Sequence, residues 1–343
     1  MTENRPPLLT GGARRRRYGV RRTLVVVTLT AIAAVAVAIA NPFAGAGGGE
    51  HTAVTTAHDP GGPSKLLGGG VAPAIASGGG ESRFAVKLAA PDTVRVTFVR
   101  KPRAGLLFDV RTGRVLWRLN PTRRLAIASL TKMMTALVVA ERRGPHERVL
   151  ITKRAVHTPG SAVGVLPKGR NVQLEALLNG LLLVSGNDAA VALAQDTAGS
   201  VSGFVRMMNE RARQLGLSCS RFTSPHGLED KGNHSCALDL ATLARADLHL
   251  RRLRRIVGRK RAIVKFPIKG GRLFLYNNNP LMRLGYRGVT GLKTGYTNRA
   301  GRSIVATARR GKVELGVVLL HSNGWVQAAK LLDRGFRAAG VGR

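Results

Sequence analysis

The chain is poor in aromatic residues, in acids and in cysteine. Aromatics make up 4% of its 343 residues, so a core must be built mainly from Leu, Val, Ile and Ala. The two cysteines, Cys219 and Cys236, are too few for a disulfide scaffold or a cysteine-rich zinc cluster. Asp and Glu number 18 against 55 Lys and Arg, a net charge of +37, of which +32 falls on residues 93–343. A field of that sign favours polyanions: nucleic acid, anionic lipid headgroups or an acidic wall polymer. It leaves the fold open. Apolar residues at 44% exclude wholesale disorder. The length allows one large domain or two small ones.

Charge is absent from one long stretch. Residues 1–22 form a basic segment that contains Arg14-Arg15-Arg16-Arg17, and Thr23 to Ala40 then runs without an ionisable side chain. At ~1.5 Å per residue, these eighteen residues span roughly 27 Å, near the lower limit for a bilayer. A positive flank followed by an apolar run ending Ala38-Ile39-Ala40 is the layout of a signal peptide or a retained transmembrane anchor. Either form keeps the arginines cytoplasmic and exports the chain beyond residue 40. A reporter fused after Gly80 is then active only outside the cytoplasm. Residues 41–92 lack a sustained period and carry three Gly triplets, so they are expected to be a flexible Gly/Ala/Pro-rich linker. The folded domain is expected over 93–343.

In that body, residues 105–110 and 115–117 are apolar runs around Arg111-Thr112-Gly113-Arg114, a β-hairpin pattern. Helical spacing predicts a helix over 129–142, and more over 173–183, 187–198, 202–215 and 237–255. Strand texture returns at 289–294, 303–308 and 313–320, with a closing helix around Leu331, Leu332 and Phe336. Strands at both ends of a helical middle imply an α+β fold whose N- and C-terminal strands share one antiparallel sheet. No element is assigned between 256 and 288.

Three short motifs carry chemistry. Ser129-Leu130-Thr131-Lys132 puts a hydroxyl and an amine on one helix face, so the lysine can serve as the base a serine nucleophile needs. Backbone N–H groups of the first helical turn can stabilise an oxyanion. Ser185-Gly186-Asn187 also reads as a helix N-cap. Lys293-Thr294-Gly295 lies in a strand, where Gly295 would let a substrate backbone approach. A lone strand lysine is otherwise a solvated edge charge.

In this order the three motifs resemble the active-site set of penicillin-binding proteins and serine β-lactamases. The chain is identified as similar to the D-alanyl-D-alanine carboxypeptidases of low molecular mass (peptidase family S11). The likeness runs from about Gly105 to Phe336, through Ala128 to Leu137, Ser185 to Ala194, Pro225-His226-Gly227-Leu228 and Gly291 to Thr297. It implies a β-lactamase/transpeptidase-like fold with a mostly helical subdomain. It implies Ser129 as nucleophile, Lys132 as general base and Ser185 in the proton relay to the leaving amine. Asn187 would hold substrate or Lys132. Lys293 would keep Lys132 deprotonated by like-charge repulsion and favour the substrate carboxylate, which Thr294 would bind. The N–H groups of Ser129 and Tyr296 would form the oxyanion hole. Substrates would be peptidoglycan stem peptides ending in D-Ala-D-Ala, and β-lactams would be covalent inhibitors. No metal or other cofactor is implied.

Some residues stand apart from this scheme. His226 reads as part of a turn. Glu175-Ala176-Leu177-Leu178-Asn179 matches a deacylation element of class A β-lactamases, yet it precedes Ser185 rather than following it, and reads as helix surface. Many relatives carry an arginine between the last strand and the final helix, whereas His321 to Trp325 holds none. The alternatives on the same fold are a β-lactamase or a D,D-endopeptidase. A non-catalytic alternative is a basic wall-polymer binder, supported by Arg251 to Arg255 and Arg259-Lys260-Arg261, whose plainer reading is a solvated helix face. Nucleic acid is not expected, because export removes it and no aromatics interleave with that cluster. In an oxidising setting Cys219 and Cys236 are candidates to pair across 16 residues, contributing about 3 kcal/mol. Two separate buried thiols are the other reading.

Overall fold

The chain reverses first at Gly113, whose φ of +76° suits glycine, while Asp109 accepts hydrogen bonds from the Thr112 N–H and hydroxyl at 2.7 and 2.9 Å. That turn joins β1 (Ala104–Asp109) to β2 (Val115–Leu119). The computed structural model describes residues 82–228 and 231–341. The basic segment 1–22, the apolar run 23–40 and the linker up to residue 81 lie outside them.

After β2 come a single 3-10 turn (Ala128–Leu130), α1 (Thr131–Arg142), β3 (Arg148–Leu150), α2 (Lys153–Val156) and β4 (Asn171–Gln173). The helical middle continues with α3 (Leu174–Leu183), α4 (Asn187–Ala198), α5 (Val201–Gln214), α6 (Ala237–His249) and α7 (Arg251–Val257). Two strands, β5 (Arg261–Lys265) and β6 (Arg272–Tyr276), precede α8 (Pro280–Arg283). The chain closes with β7 (Val289–Gly295), β8 (Ser303–Arg310), β9 (Val313–Leu320) and α9 (Trp325–Ala338).

The main sheet has the order β2-β1-β9-β8-β7 and is antiparallel throughout, so the first and last strands do share one sheet. Leu107 lies opposite Val317, and Val305 opposite Val318. One face is covered by α9, whose Ala328, Leu331, Leu332 and Phe336 recur at helical spacing and are buried. The other face packs against α6. Every residue of α1 from Thr131 to Val139 is buried. A helix enclosed on all sides is a rigid support for the residues at its N-terminus.

Residues 82–92 are not linker. Phe84, Val86 and Leu88 alternate onto the core, Lys87 bridges to Arg114, and Arg118 forms an ion pair with Asp92 at 2.7 Å. Three apolar residues are too few to stand out from the neighbouring Gly-rich stretch. The helix expected over 237–255 is two helices, because Leu250 is extended (φ −76°, ψ 110°) with no Gly or Pro to announce it. The break lets the basic cluster turn inward. Arg252 pairs with Glu175 at 2.7 Å, Arg254 with Glu314 at 3.0 Å, and Arg259 donates to Asn179. Three of the cluster's seven cations therefore tie elements together rather than lining a solvated face.

Cys219 and Cys236 are joined, their Cα atoms 5.7 Å apart. The loop they close carries Pro225 to Leu228, and Asp239 in the first turn of α6 accepts from the Cys219 N–H at 2.8 Å and the Ser220 hydroxyl at 2.7 Å. Among the described residues no helix is long and apolar enough to cross a membrane.

Candidate active site

Ser129 sits in the 3-10 turn rather than in α1 itself, after Ala128 at φ +48°. Left-handed backbone at a non-Gly residue is costly and persists where its surroundings enforce it. The Lys132 Nζ, fully buried on α1, lies 2.9 Å from the Ser129 Oγ. It also lies 2.7 Å from the Asn187 Oδ1 and 2.9 Å from the His226 carbonyl. Asn187 opens α4, and its amide is oriented by donation to the Pro159 carbonyl at 2.7 Å. Two carbonyl acceptors thus hold one amine against one hydroxyl.

A second pair faces the first. Ser185, at φ +66°, stands between α3 and α4, and the Lys293 Nζ on β7 donates to its Oγ at 2.9 Å and to the Thr294 carbonyl at 2.8 Å. Burial alone pulls Lys293 down from its ordinary 10.5 to about 7. Lys293 therefore engages Ser185 from a buried position. Between pH 7 and its ordinary value the unfolded lysine binds more protons than the folded one, so stability rises with pH across that window. Denaturant midpoints at pH 7 and pH 9 should climb for the native chain and climb less for Lys293→Met. Equal slopes would show that Lys293 is not depressed.

Ser129, Ser185, Thr294, Gly295 and Tyr296 line one cavity of about 550 Å³. Gly295 serves the fold before it serves any ligand. A Cβ there would lie 2.9 Å from the Ile127 carbonyl and 3.1 Å from the Ser129 nitrogen. Only glycine lets β7 pass this close to the nucleophile turn and leave that N–H uncovered.

Lys132 and Asn187 stand behind this cavity wall, and Lys293 is buried beneath it. Glu175 is on α3, bonded to Arg252, and is not part of the cavity lining. The His226 ring is held to about pKa 4, first by burial and then by the Lys132 charge; its backbone carbonyl is what meets Lys132.

Several site residues carry no sequence signal of their own. Ser161 lines the cavity and its carbonyl accepts from the Asn187 N–H at 2.6 Å. Asn278 lines it too, tied to the Leu183 and Val184 carbonyls at 2.9 and 3.1 Å beside Ser185. Arg302 contributes an exposed guanidinium with no hydrogen-bond or ion-pair partner among the described residues. Its carbonyl accepts from the Ser322 N–H at 2.8 Å, so it borders the turn from His321 to Trp325, which holds no arginine of its own. The run Asn277-Asn278-Asn279 is the one local oddity that could have drawn attention.

Residues 99–324 match the family model described as D-alanyl-D-alanine carboxypeptidase. The D-alanyl-D-alanine carboxypeptidase DacF of Bacillus subtilis is 32% identical over 243 residues, 68% of this chain and 62% of that protein. DacC of Escherichia coli is 36% identical over 264 residues, 73% of this chain and 64% of that protein. The chain thus spans less than two thirds of the length of these relatives. Among solved structures, a D-alanyl-D-alanine carboxypeptidase from Mycobacterium tuberculosis superposes with a TM-score of 0.65 at 31% identity, covering 75% of this chain and 96% of that one.

Proposed function

Because the chain belongs to the D-alanyl-D-alanine carboxypeptidase family, we propose that it removes the terminal D-alanine from peptidoglycan stem peptides through an acyl-enzyme on Ser129. The observation that carries this reading is the meeting of two serine–lysine pairs at one cavity, at 2.9 Å each. Lys132, acting as the general base, takes the Ser129 proton as Oγ attacks the D-Ala-D-Ala carbonyl. The N–H groups of Ser129 and Tyr296 hold the oxyanion. The C–N bond then breaks, and Ser185 passes a proton to the leaving amine, with Lys293 behind it. A lysine near pKa 7 exchanges that proton readily at neutral pH. Water hydrolyses the ester and restores Ser129. A β-lactam undergoes the same attack, but its leaving nitrogen stays tethered, so the adduct persists.

Thr294 and Arg302 would receive the substrate's terminal carboxylate. Arg302→Ala should raise KM roughly tenfold for a free-carboxylate substrate. It should leave a terminal-amide analogue unaffected, and equal effects on both would remove Arg302 from this role. The reading as a whole is tested by following D-Ala release from a stem pentapeptide beside nitrocefin hydrolysis. Release with slow nitrocefin turnover is expected. Fast nitrocefin turnover without release would make the protein a β-lactamase. The ion pair of Glu175 with Arg252 speaks against that alternative, since it engages the carboxylate that a class A enzyme would use on water.

The substrate class requires export, which the basic flank and apolar run at 23–40 supply as signal or anchor. The disulfide fits an oxidising compartment.

A further inference from the structure

The β5–β6 hairpin presents an unusual outward face. Cross-strand partners Arg261 and Tyr276, Ile263 and Phe274, and Lys265 and Arg272 all point to solvent. Ile263, Phe274 and Tyr276 are 51%, 57% and 61% exposed. Three large apolar side chains in one patch, flanked by three cations and no acid, are more than scattered surface residues. The inward residues Ala262, Leu273 and Leu275 are buried, and the hairpin packs against α3. Its base is fixed by Asn277, whose amide donates to the Val257 and Arg259 carbonyls at 3.2 and 2.9 Å. Two residues past Tyr276 the same chain enters the catalytic cavity as Asn278. The hairpin is thus anchored at its base and leads along the chain into the cleft.

We infer that this face holds the acidic, sugar-bearing wall strand to which the stem peptide is attached. The inference rests on the carboxypeptidase reading. A cavity of about 550 Å³ encloses a peptide end, not a polymer, so the rest of the substrate must leave the cleft along some surface. Sugar rings present apolar C–H faces that suit Phe274 and Tyr276. Neighbouring stem-peptide carboxylates suit Arg261, Lys265 and Arg272. The cations and aromatics that look unrelated in sequence are interleaved here by strand pairing.

The test compares kcat/KM for D-Ala release from insoluble pentapeptide-bearing wall and from a soluble tripeptide ending in D-Ala-D-Ala. It uses the full chain and its Phe274→Ser/Tyr276→Ser variant. Both side chains are exposed, so the fold is expected to survive. The variant should lose roughly tenfold on the wall polymer while staying within about twofold on the tripeptide. Equal loss on both substrates, or no loss on the wall, would overturn the inference. So would unchanged wall turnover with lost binding to phosphatidylglycerol vesicles, which would assign the face to a membrane. If the native chain released no D-Ala from the tripeptide, the carboxypeptidase reading itself would fall.

Discussion

Ser129→Ala is expected to abolish both penicillin labelling and D-Ala release, a loss of about 10³-fold or more in kcat/KM. The Ser129 hydroxyl lies 2.9 Å from the buried Lys132 amine, whereas the Ser185 hydroxyl is engaged by Lys293. Lys132→Ala should lose a similar factor, because a nucleophile and its base act as one unit and their effects do not add. The two variants should differ in stability. Ser129→Ala removes a half-buried hydroxyl, whereas Lys132→Ala leaves the Asn187 Oδ1 and His226 carbonyl without their shared donor, at about 1–3 kcal/mol. Thermal denaturation separates these outcomes. A Ser129→Ala protein that still forms the penicillin adduct would move the nucleophile elsewhere, with Ser185 the first candidate.

Gly227→Ala is expected to cost roughly 3 kcal/mol and to slow acylation. Gly227 has φ +79°, and a Cβ there would drive into the Ala128 carbonyl and the Thr131 Oγ1, the two groups that flank Ser129. Thr131 itself donates to that carbonyl at 2.8 Å and accepts from Asn233 at 2.8 Å, so the turn has no room to yield. Gly199 is the control. Its φ is +70° but nothing lies within 4 Å of the position, so Gly199→Ala should cost only about 1 kcal/mol and leave acylation alone. Equal denaturant midpoints for the two variants would show that the contact with the nucleophile turn carries no energy.

Much of this site was legible in the sequence. The Ser129-to-Lys132 spacing holds because the 3-10 turn runs directly into α1 and keeps positions three apart on one face, and the order of the three motifs fixes which elements must converge. The strands at 289–294, 303–308 and 313–320 read correctly because short apolar runs and the Gly311 turn are local signals. The features that stayed hidden depend on contacts between distant residues. The region 256–288 holds β5, β6 and α8, whose exposed Ile263, Phe274 and Tyr276 blur the two-residue period that marks a half-buried strand. The break at Leu250 answers to Glu175 and Glu314, far away in sequence. Gly295 reads as room for a substrate, yet its neighbour is the nucleophile turn of the same chain. Arg302 reads as one arginine among many until the sheet sets it beside Thr294 at the cavity.

Acylation of Ser129 is tested most directly by mass spectrometry of the full chain after incubation with penicillin, together with peptide mapping of the adduct. One penicillin per chain, carried by the peptide that contains Ser129, is the predicted result. An unmodified chain, or an adduct confined to any other peptide, would contradict it.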